Sequence, residues 1–397
     1  MNHRQIFLQN IAQTSEFPLL LEIEKAEGIY LYDQANKKYI DLISGIGVSN
    51  VGHRHPKVVE AIKNQVDRYM HLMVYGEYVQ GPQALLAQAL VNTLSSFETP
   101  AGLKLDNVYF TNSGTEAVEG AMKLVKRFTR KSEIISCHHS YHGSTQGALS
   151  LGEEHFRKNY RPLLPSITKI QRNNFIDLEK ITSKTAAVFY EPIGGESGVR
   201  ISDLEYLQQL RNRCNEVNAL LVFDEVQSGF GRTGRFWAFE HYTIVPDILL
   251  CAKGMGGGMP IGAFIAPQQI MSVFKENPIL GHITTFGGHP VSCAASLATL
   301  GAIIGENMLD TVEAKSDLFK ALLVHPAIKE VRGKGLMLAV EFESFEILKP
   351  IIDKAITMGV ITDWFLYCDN SMRIAPPLII KNEEIRQACE IILTCID

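Results

Sequence analysis

The chain has 397 residues, of which 46% are hydrophobic and 20% charged. That mix excludes a disordered chain, and at roughly 100–200 residues per domain the length suggests two or three domains, or one large domain with an appendage. A net charge of −5, from 38 Lys and Arg against 43 Asp and Glu, leaves no electrostatic footprint for nucleic acid.

No apolar run approaches the ~18 residues that mark a membrane-spanning helix. Residues 1–8 lack the apolar core and small-residue cleavage site of a secretion signal. The seven cysteines are scattered and contain no C-x-x-C pair, which argues against both a disulfide framework and a zinc ribbon. A cytoplasmic globular protein is the expectation.

In chain order, residues 28–42 come first. Two alternating runs there flank a polar stretch at 33–38, which predicts a β-hairpin. Helical periodicity marks 56–69 and 81–94. Short apolar runs at 107–111, 133–137, 186–190, 219–223, 247–251 and 261–266 then alternate with helical patterns that include 115–129 and 203–216. Strands that are apolar on both faces and separated by helices predict an α/β fold with a mostly parallel sheet covered on both sides. A further helix is predicted at 291–306, strands at 335–342 and 372–375, and a last helix at 383–394. The expected layout is a large central α/β domain over 56–300 and a smaller α/β domain assembled from 1–55 and 301–397.

Four runs could carry chemistry. Asn112-Ser113-Gly114-Thr115-Glu116 follows a strand and opens a helix. Ser113 and Glu116 have capping-box spacing, and Gly114 permits close backbone approach. Such a helix start suits an anion, typically phosphate, although a merely well-capped helix reads the same way. Asp224 and Glu225 end an apolar strand at the edge where α/β sheets bind ligands. Lys253 follows another apolar strand and precedes a glycine-rich tail. A lysine there is costly unless it is paired, neutralised or used covalently. Gly229-Phe230-Gly231-Arg232-Thr233-Gly234 spells the dinucleotide fingerprint but begins five residues past Asp224 and lacks the helix start it needs, so it reads as a decoy.

The remaining candidates are bland. His53, His55, His138, His139 and His142 have no metal-ligand spacing and read as loop or core residues, so no metal is expected. Lys123, Lys126, Arg127 and Arg130 read as a solvated helix face.

Taken together, NSGTEA, SYHGST, EPIGGESG, DEVQSGFGRTGR, PDILLCAKGMGGGMPIGA, TTFGGHP and RIAPPL resemble the class III pyridoxal-phosphate aminotransferases, nearest to the acetylornithine and ornithine branch. The resemblance implies the fold type I of pyridoxal-phosphate-dependent transferases and pyridoxal 5'-phosphate as cofactor. It implies that Lys253 forms a Schiff base with the cofactor and that Asp224 holds its ring nitrogen protonated. By the same likeness Ser113, Gly114 and Thr115 cradle the phosphate, Tyr141 stacks on the ring and Gln227 faces its phenolic oxygen. Thr285 would reach the neighbouring subunit's cofactor, which implies a homodimer with shared active sites. Arg373 matches the residue that grips a substrate carboxylate and Glu196 the acid that masks it. Glu191, Ser144 and Thr284 complete the implied substrate set.

The implied reaction passes an amino group from an acetylornithine- or ornithine-like donor to a 2-oxo acid such as 2-oxoglutarate. Ser144 stands where the acetylornithine and ornithine enzymes typically carry a carboxylate-binding Arg, and Gly194 where nearer relatives have Gln. The Tyr-His-Gly-Ser-Thr stretch is similar to class III enzymes acting on diamines, or on simple amines with pyruvate. That alternative stays open, as does an aminomutase of the glutamate-semialdehyde type.

Overall fold

The computed structural model describes residues 2–396. Its centre is a seven-stranded sheet with spatial order Asn107–Thr111, Gly262–Ala266, Ile248–Cys251, Leu220–Asp224, Thr185–Tyr190, Glu133–Cys137 and Ile167–Ile170. Six of these strands point the same way. Only Gly262–Ala266 runs against both its neighbours. The ten residues of 252–261 between it and the preceding strand are fewer than the dozen or more that a parallel crossover needs. The chain therefore turns back on itself. Ile167–Ile170, absent from the sequence expectation, is an edge strand pairing only with Glu133–Cys137. Its Ile-Thr-Lys-Ile pattern carries too little apolar content to stand out.

The helix Gly114–Thr129 shows how the layers form. Ala117, Val118, Ala121, Met122, Leu124 and Val125 recur at helical spacing and are buried, packing against the sheet together with Phe264 and Leu250. Ser113 caps it by accepting from the Glu116 amide at 3.3 Å. The expected capping box is offset by one residue, because the Glu116 carboxylate accepts from the Asn112 amide at 2.8 Å instead of from that of Ser113. On the opposite face, Pro290–Gly305 is buried along most of its length and packs on Pro56–Val66 and Gly81–Leu94.

Both chain ends meet outside this sheet. Tyr30–Asp33 and Lys38–Asp41 form the expected hairpin, extended on one side by Ile23–Glu27 and on the other by Val360–Ile361, parallel to Lys38–Asp41. A further sheet joins Glu330–Lys334, Met337–Glu341, Cys368–Ile374 and Trp364–Phe365. The strand expected at 335–342 starts later because Gly335, at φ +56, makes a hairpin turn pressed against the Thr233 backbone. Among the described residues no single helix is long and apolar enough to cross a membrane.

The glycine run at 229–234 is a buried turn built around Arg232, which is 1% exposed. Its Nη1 donates to the carbonyls of Leu336, at 3.0 Å, and Pro376, and its Nη2 donates to Asn50 Oδ1 at 2.5 Å. Burial lowers its pKa to about 9. One side chain thus ties the middle of the chain to both ends. Arg232→Ala should leave three buried acceptors unpaired, at about 1–3 kcal/mol each. Urea unfolding is therefore expected to show a stability loss of more than about 3 kcal/mol. A loss below about 1 kcal/mol would contradict this role.

Candidate active site

Because six strands are co-directional, their carboxyl ends share one edge, where an open α/β sheet binds ligands. A cavity of about 720 Å³ lies there. It is lined by Ser113, Gly114, Thr115, Tyr141, Ser144, Glu191, Glu196, Asp224, Gln227 and Lys253, all singled out in the sequence. Arg373 stands behind Glu196. Thr284 and Thr285 do not reach the lining of this cavity. The Thr284 hydroxyl accepts from the Gly287 amide at 3.0 Å, and Thr285 is exposed.

Lys253 opens a tight turn just past the strand Ile248–Cys251, with its backbone at φ +46. A non-glycine residue held there stores roughly 1–3 kcal/mol of strain, which concentrates at functional sites. Burial lowers the pKa of its amine, while Glu196 and Asp224 act against that shift. Asp224 ends the neighbouring strand. Its Oδ1 accepts from the Val226 amide at 3.0 Å, and its Oδ2 lies 2.7 Å from His142 Nδ1. His142, read from sequence as an ordinary core or loop histidine, is therefore part of the site. Its Nε2 is buried without a hydrogen-bond partner among the described residues.

Glu225, read with Asp224 as a strand-end pair, turns away from the cavity. It accepts from the amides of Ala238, at 2.5 Å, and Phe239, at 2.7 Å, and burial raises its pKa to about 8. Alternation along a strand sends adjacent side chains to opposite faces, so only one of the two acids can face a ligand.

The helix start is a fitted cradle. Thr115 Oγ1 lies 2.7 Å from Thr145 Oγ1, which donates to Glu119 at 2.6 Å. Gly143, at φ +134, lets the next loop press in: a Cβ there would fall 2.2 Å from Thr115 Oγ1. The amides of Gly114 and Thr115 lie in the first turn, where a helix has no acceptors of its own.

On the other wall, Arg373 is held by two acids. Nη1 and Nη2 donate to Glu196 at 3.0 and 3.1 Å, and Nε donates to Asp363 at 2.7 Å. Its guanidinium lies over the Phe365 ring, 4.4 Å from the centroid. Burial alone would raise the Glu196 pKa, but Arg373 pulls it down to about 2. Burial raises the Asp363 carboxyl, with Arg373 opposing and Glu196 adding to the rise. Asp363 carried no sequence signal, being a single carboxylate in the apolar run before Trp364. Gln227 Nε2 donates to Glu196 Oε1 at 3.0 Å.

Ser144 Oγ lies 2.9 Å from the Tyr141 hydroxyl, so this wall is neutral where an arginine would be cationic. At Gly194 a Cβ would fall 2.5 Å from Ser197 Oγ and 2.7 Å from Arg172 Nη2. A larger residue there would require the half-buried Arg172 side chain and Ser197 to shift. Burial raises the Glu191 carboxyl, which accepts from the Gly195 amide at 3.2 Å. Among the described residues no three His, Cys, Asp or Glu side chains form a group able to hold a metal ion.

The chain is 39% identical to the acetylornithine aminotransferase of Methanopyrus kandleri, over 94% of this chain and 93% of that one. It is 36% identical to the [LysW]-aminoadipate semialdehyde/glutamate semialdehyde transaminase of Sulfolobus acidocaldarius, over 85% and 86%. The solved ornithine aminotransferase of Toxoplasma gondii superposes with a TM-score of 0.91 at 29% identity, covering 99% of this chain and 92% of that one. Residues 11–396 match the family described as Aminotransferase class-III. A match that leaves out only the extreme ends shows the family: the chain belongs to the class-III aminotransferases, pyridoxal 5'-phosphate-dependent enzymes that pass an amino group from a small-molecule donor to a 2-oxo acid.

Proposed function

We propose that this transaminase takes ornithine-like or diamine donors by their amine end and a 2-oxo acid, such as 2-oxoglutarate, as acceptor. The observation that carries this reading is the closed Arg373–Glu196 pair facing a wall on which Ser144 supplies no charge. An entering amine end meets no exposed cation. An entering 2-oxo acid displaces Glu196 and takes the Arg373 fork, which suits a carboxylate bidentately.

The cavity's own chemistry fits the cofactor. Lys253 has an amine with no hydrogen-bond partner among the described residues and a pKa lowered by burial. Gly114 and Thr115 offer free helix-start amides to a phosphate, and the Asp224 carboxylate lines the same space. Pyridoxal phosphate, when bound, supplies a carbonyl to capture the amine and a ring to take up the electron pair of the broken C–H bond. Lys253 would hold the cofactor at rest and, once freed, would carry a proton from the substrate carbon. Asp224 would pair with the ring nitrogen, and the His142 ring beside it orients its carboxylate. Tyr141 would cover the ring, and Gln227, which donates to Glu196, would face its phenolic oxygen. Donor and acceptor share one pocket, so kinetics are ping-pong.

A homodimer completes the site in this reading, with Thr285 contributed across the interface to the neighbouring subunit's cofactor. The support is an exposed apolar face beside them. Ile279, Leu280, Ile283 and Phe286 stand out, and so do Met70, Leu72 and Val79. His71, whose ring centroid lies 4.7 Å from that of Phe286 in a tilted contact, joins the two segments. An apolar patch of this kind marks an interaction surface. We likewise take 56–300 as the cofactor-holding domain and 1–55 with 301–397 as the smaller one, a division supported by the pairing of Val360–Ile361 with Lys38–Asp41.

Three experiments test these assignments. Borohydride treatment of the holoenzyme should fix the cofactor to the peptide carrying Lys253, and a label at another lysine would overturn that role. On a donor panel, ornithine and linear diamines should compete well with acetylornithine. Ser144→Arg should shift kcat/KM toward acidic substrates by about one to two decades, since a charge-assisted contact is worth roughly 1.5–3 kcal/mol. A strong wild-type preference for acetylornithine that Ser144→Arg leaves untouched would sink the donor reading. Mixing inactive Lys253→Ala subunits with Thr285→Ala subunits should restore activity, because one hybrid site then has both native residues. A fully active monomer in light scattering would refute the shared site.

A further inference from the structure

The Arg373 guanidinium sits among two carboxylates and a hairpin turn, and the turn has a definite job. Trp364–Phe365 pairs with Cys368–Ile374, and this hairpin places Asp363 directly beside Arg373. The Arg373 amide donates to the Asp363 carbonyl at 2.9 Å while Nε donates to the Asp363 carboxylate at 2.7 Å. At the turn itself, the Leu366 amide donates to Glu196 Oε2 at 3.1 Å, and the Tyr367 amide donates to the Glu196 carbonyl at 3.0 Å. Glu196 is therefore fastened to the backbone as well as to Arg373. The Asp363 side chain is 26% exposed, and that of Arg373 is 4% exposed.

We propose that Asp363 is a positioning residue that sets substrate preference: through its charge at Nε it disfavours a substrate carboxylate at Arg373 and favours an amine end. The inference rests on the reading of Arg373 as the carboxylate anchor. A carboxylate that takes the Nη edge displaces Glu196 but not Asp363, which holds the opposite edge. Glu196 also stays near, since Gln227 Nε2 and the Leu366 amide still hold it. Three anions then surround one guanidinium. An ammonium or neutral amine end entering the closed site meets instead a group with one positive and two negative charges. The electrostatic sign favours the amine end, and it does so in a partly dry site where charges are weakly screened.

The test uses Asp363→Asn as holoenzyme, because an amide oxygen still accepts from Nε while the charge is gone. Equilibrium titration with succinate, an unreactive carboxylate, followed by cofactor absorbance, should show a dissociation constant on the order of tenfold lower than wild type. KM for 2-oxoglutarate should fall in the same direction, and KM for 1,4-diaminobutane should rise. Asp363→Ser, which removes the charge without matching the shape, must move the two affinities in the same opposed directions. Asp363→Glu, which keeps the charge, must restore the wild-type ratio. If carboxylate and diamine affinities move together, Asp363 serves structure only and the proposal fails. Arg373→Gln separates the two layers. If it weakens succinate binding while Asp363→Asn does not tighten it, the Asp363 proposal alone falls. If Arg373→Gln leaves succinate binding unchanged, the anchor reading falls and the proposal with it.

Discussion

An amine held out of water gives up its proton more readily, and the rest of this site is arranged around that fact. Lys253 could not stay at the end of a buried strand as a free ammonium without a close partner. Asp224 and Glu196 favour its charge, but burial outweighs them. The shift runs in the direction that a nucleophile or base needs, at a position fixed by the backbone. The strain at φ +46 is tolerable because the turn is clamped. Asn50 packs against Gly254, where a Cβ would fall 2.5 Å from its Nδ2, and Asn50 is itself bonded to Arg232 and to the Phe230 carbonyl.

That clamp ties the lysine turn to the chain ends. The Leu378 amide donates to the Asn50 carbonyl at 2.8 Å, and Arg232 reaches Pro376. Residues near 50, 232 and 376 are therefore joined by hydrogen bonds beside the lysine turn. Arg373 lies only three residues before Pro376. The segment just past the C-terminal strand that carries Arg373 thus also braces the turn that holds Lys253. Arg232, fully buried and without an ion-paired carboxylate among the described residues, spends its hydrogen bonds on Asn50, Leu336 and Pro376, and so on orientation.

Much of this was legible in the sequence. The apolar runs marked six of the seven central strands within about two residues, because strands buried on both faces have nothing polar to hide them. The edge strand Ile167–Ile170 and the strand Glu330–Lys334 escaped, since Ile-Thr-Lys-Ile and Glu-Val-Arg-Gly-Lys carry too few apolar residues. Lys253 and Asp224 were visible because each sits where an apolar strand stops. His142 and Asp363 were not, since their meaning comes from partners 82 and 10 residues away across turns. Spacing cannot report such pairings. The capping acid Glu116 was visible in type but not in partner, because a shift of one residue at a helix start leaves the sequence pattern unchanged.

Asp224 and Glu225 show how little separates a functional acid from a structural one. They are neighbouring acids where one strand ends, and the alternation of the extended chain decides everything else. The first reaches the cavity and meets His142. The second enters the core, where it satisfies the Ala238 and Phe239 amides and burial lifts its pKa to about 8. On the opposite wall Glu196 and Asp363 are separated by place instead: Glu196 lines the cavity and holds the Nη edge of Arg373, while Asp363 holds the Nε edge from the start of a hairpin. In the proposed reading an entering carboxylate would displace Glu196 from the Nη edge and leave Asp363 at Nε, so that the charge of Asp363 sets the electrostatic balance against which each end of a substrate is weighed.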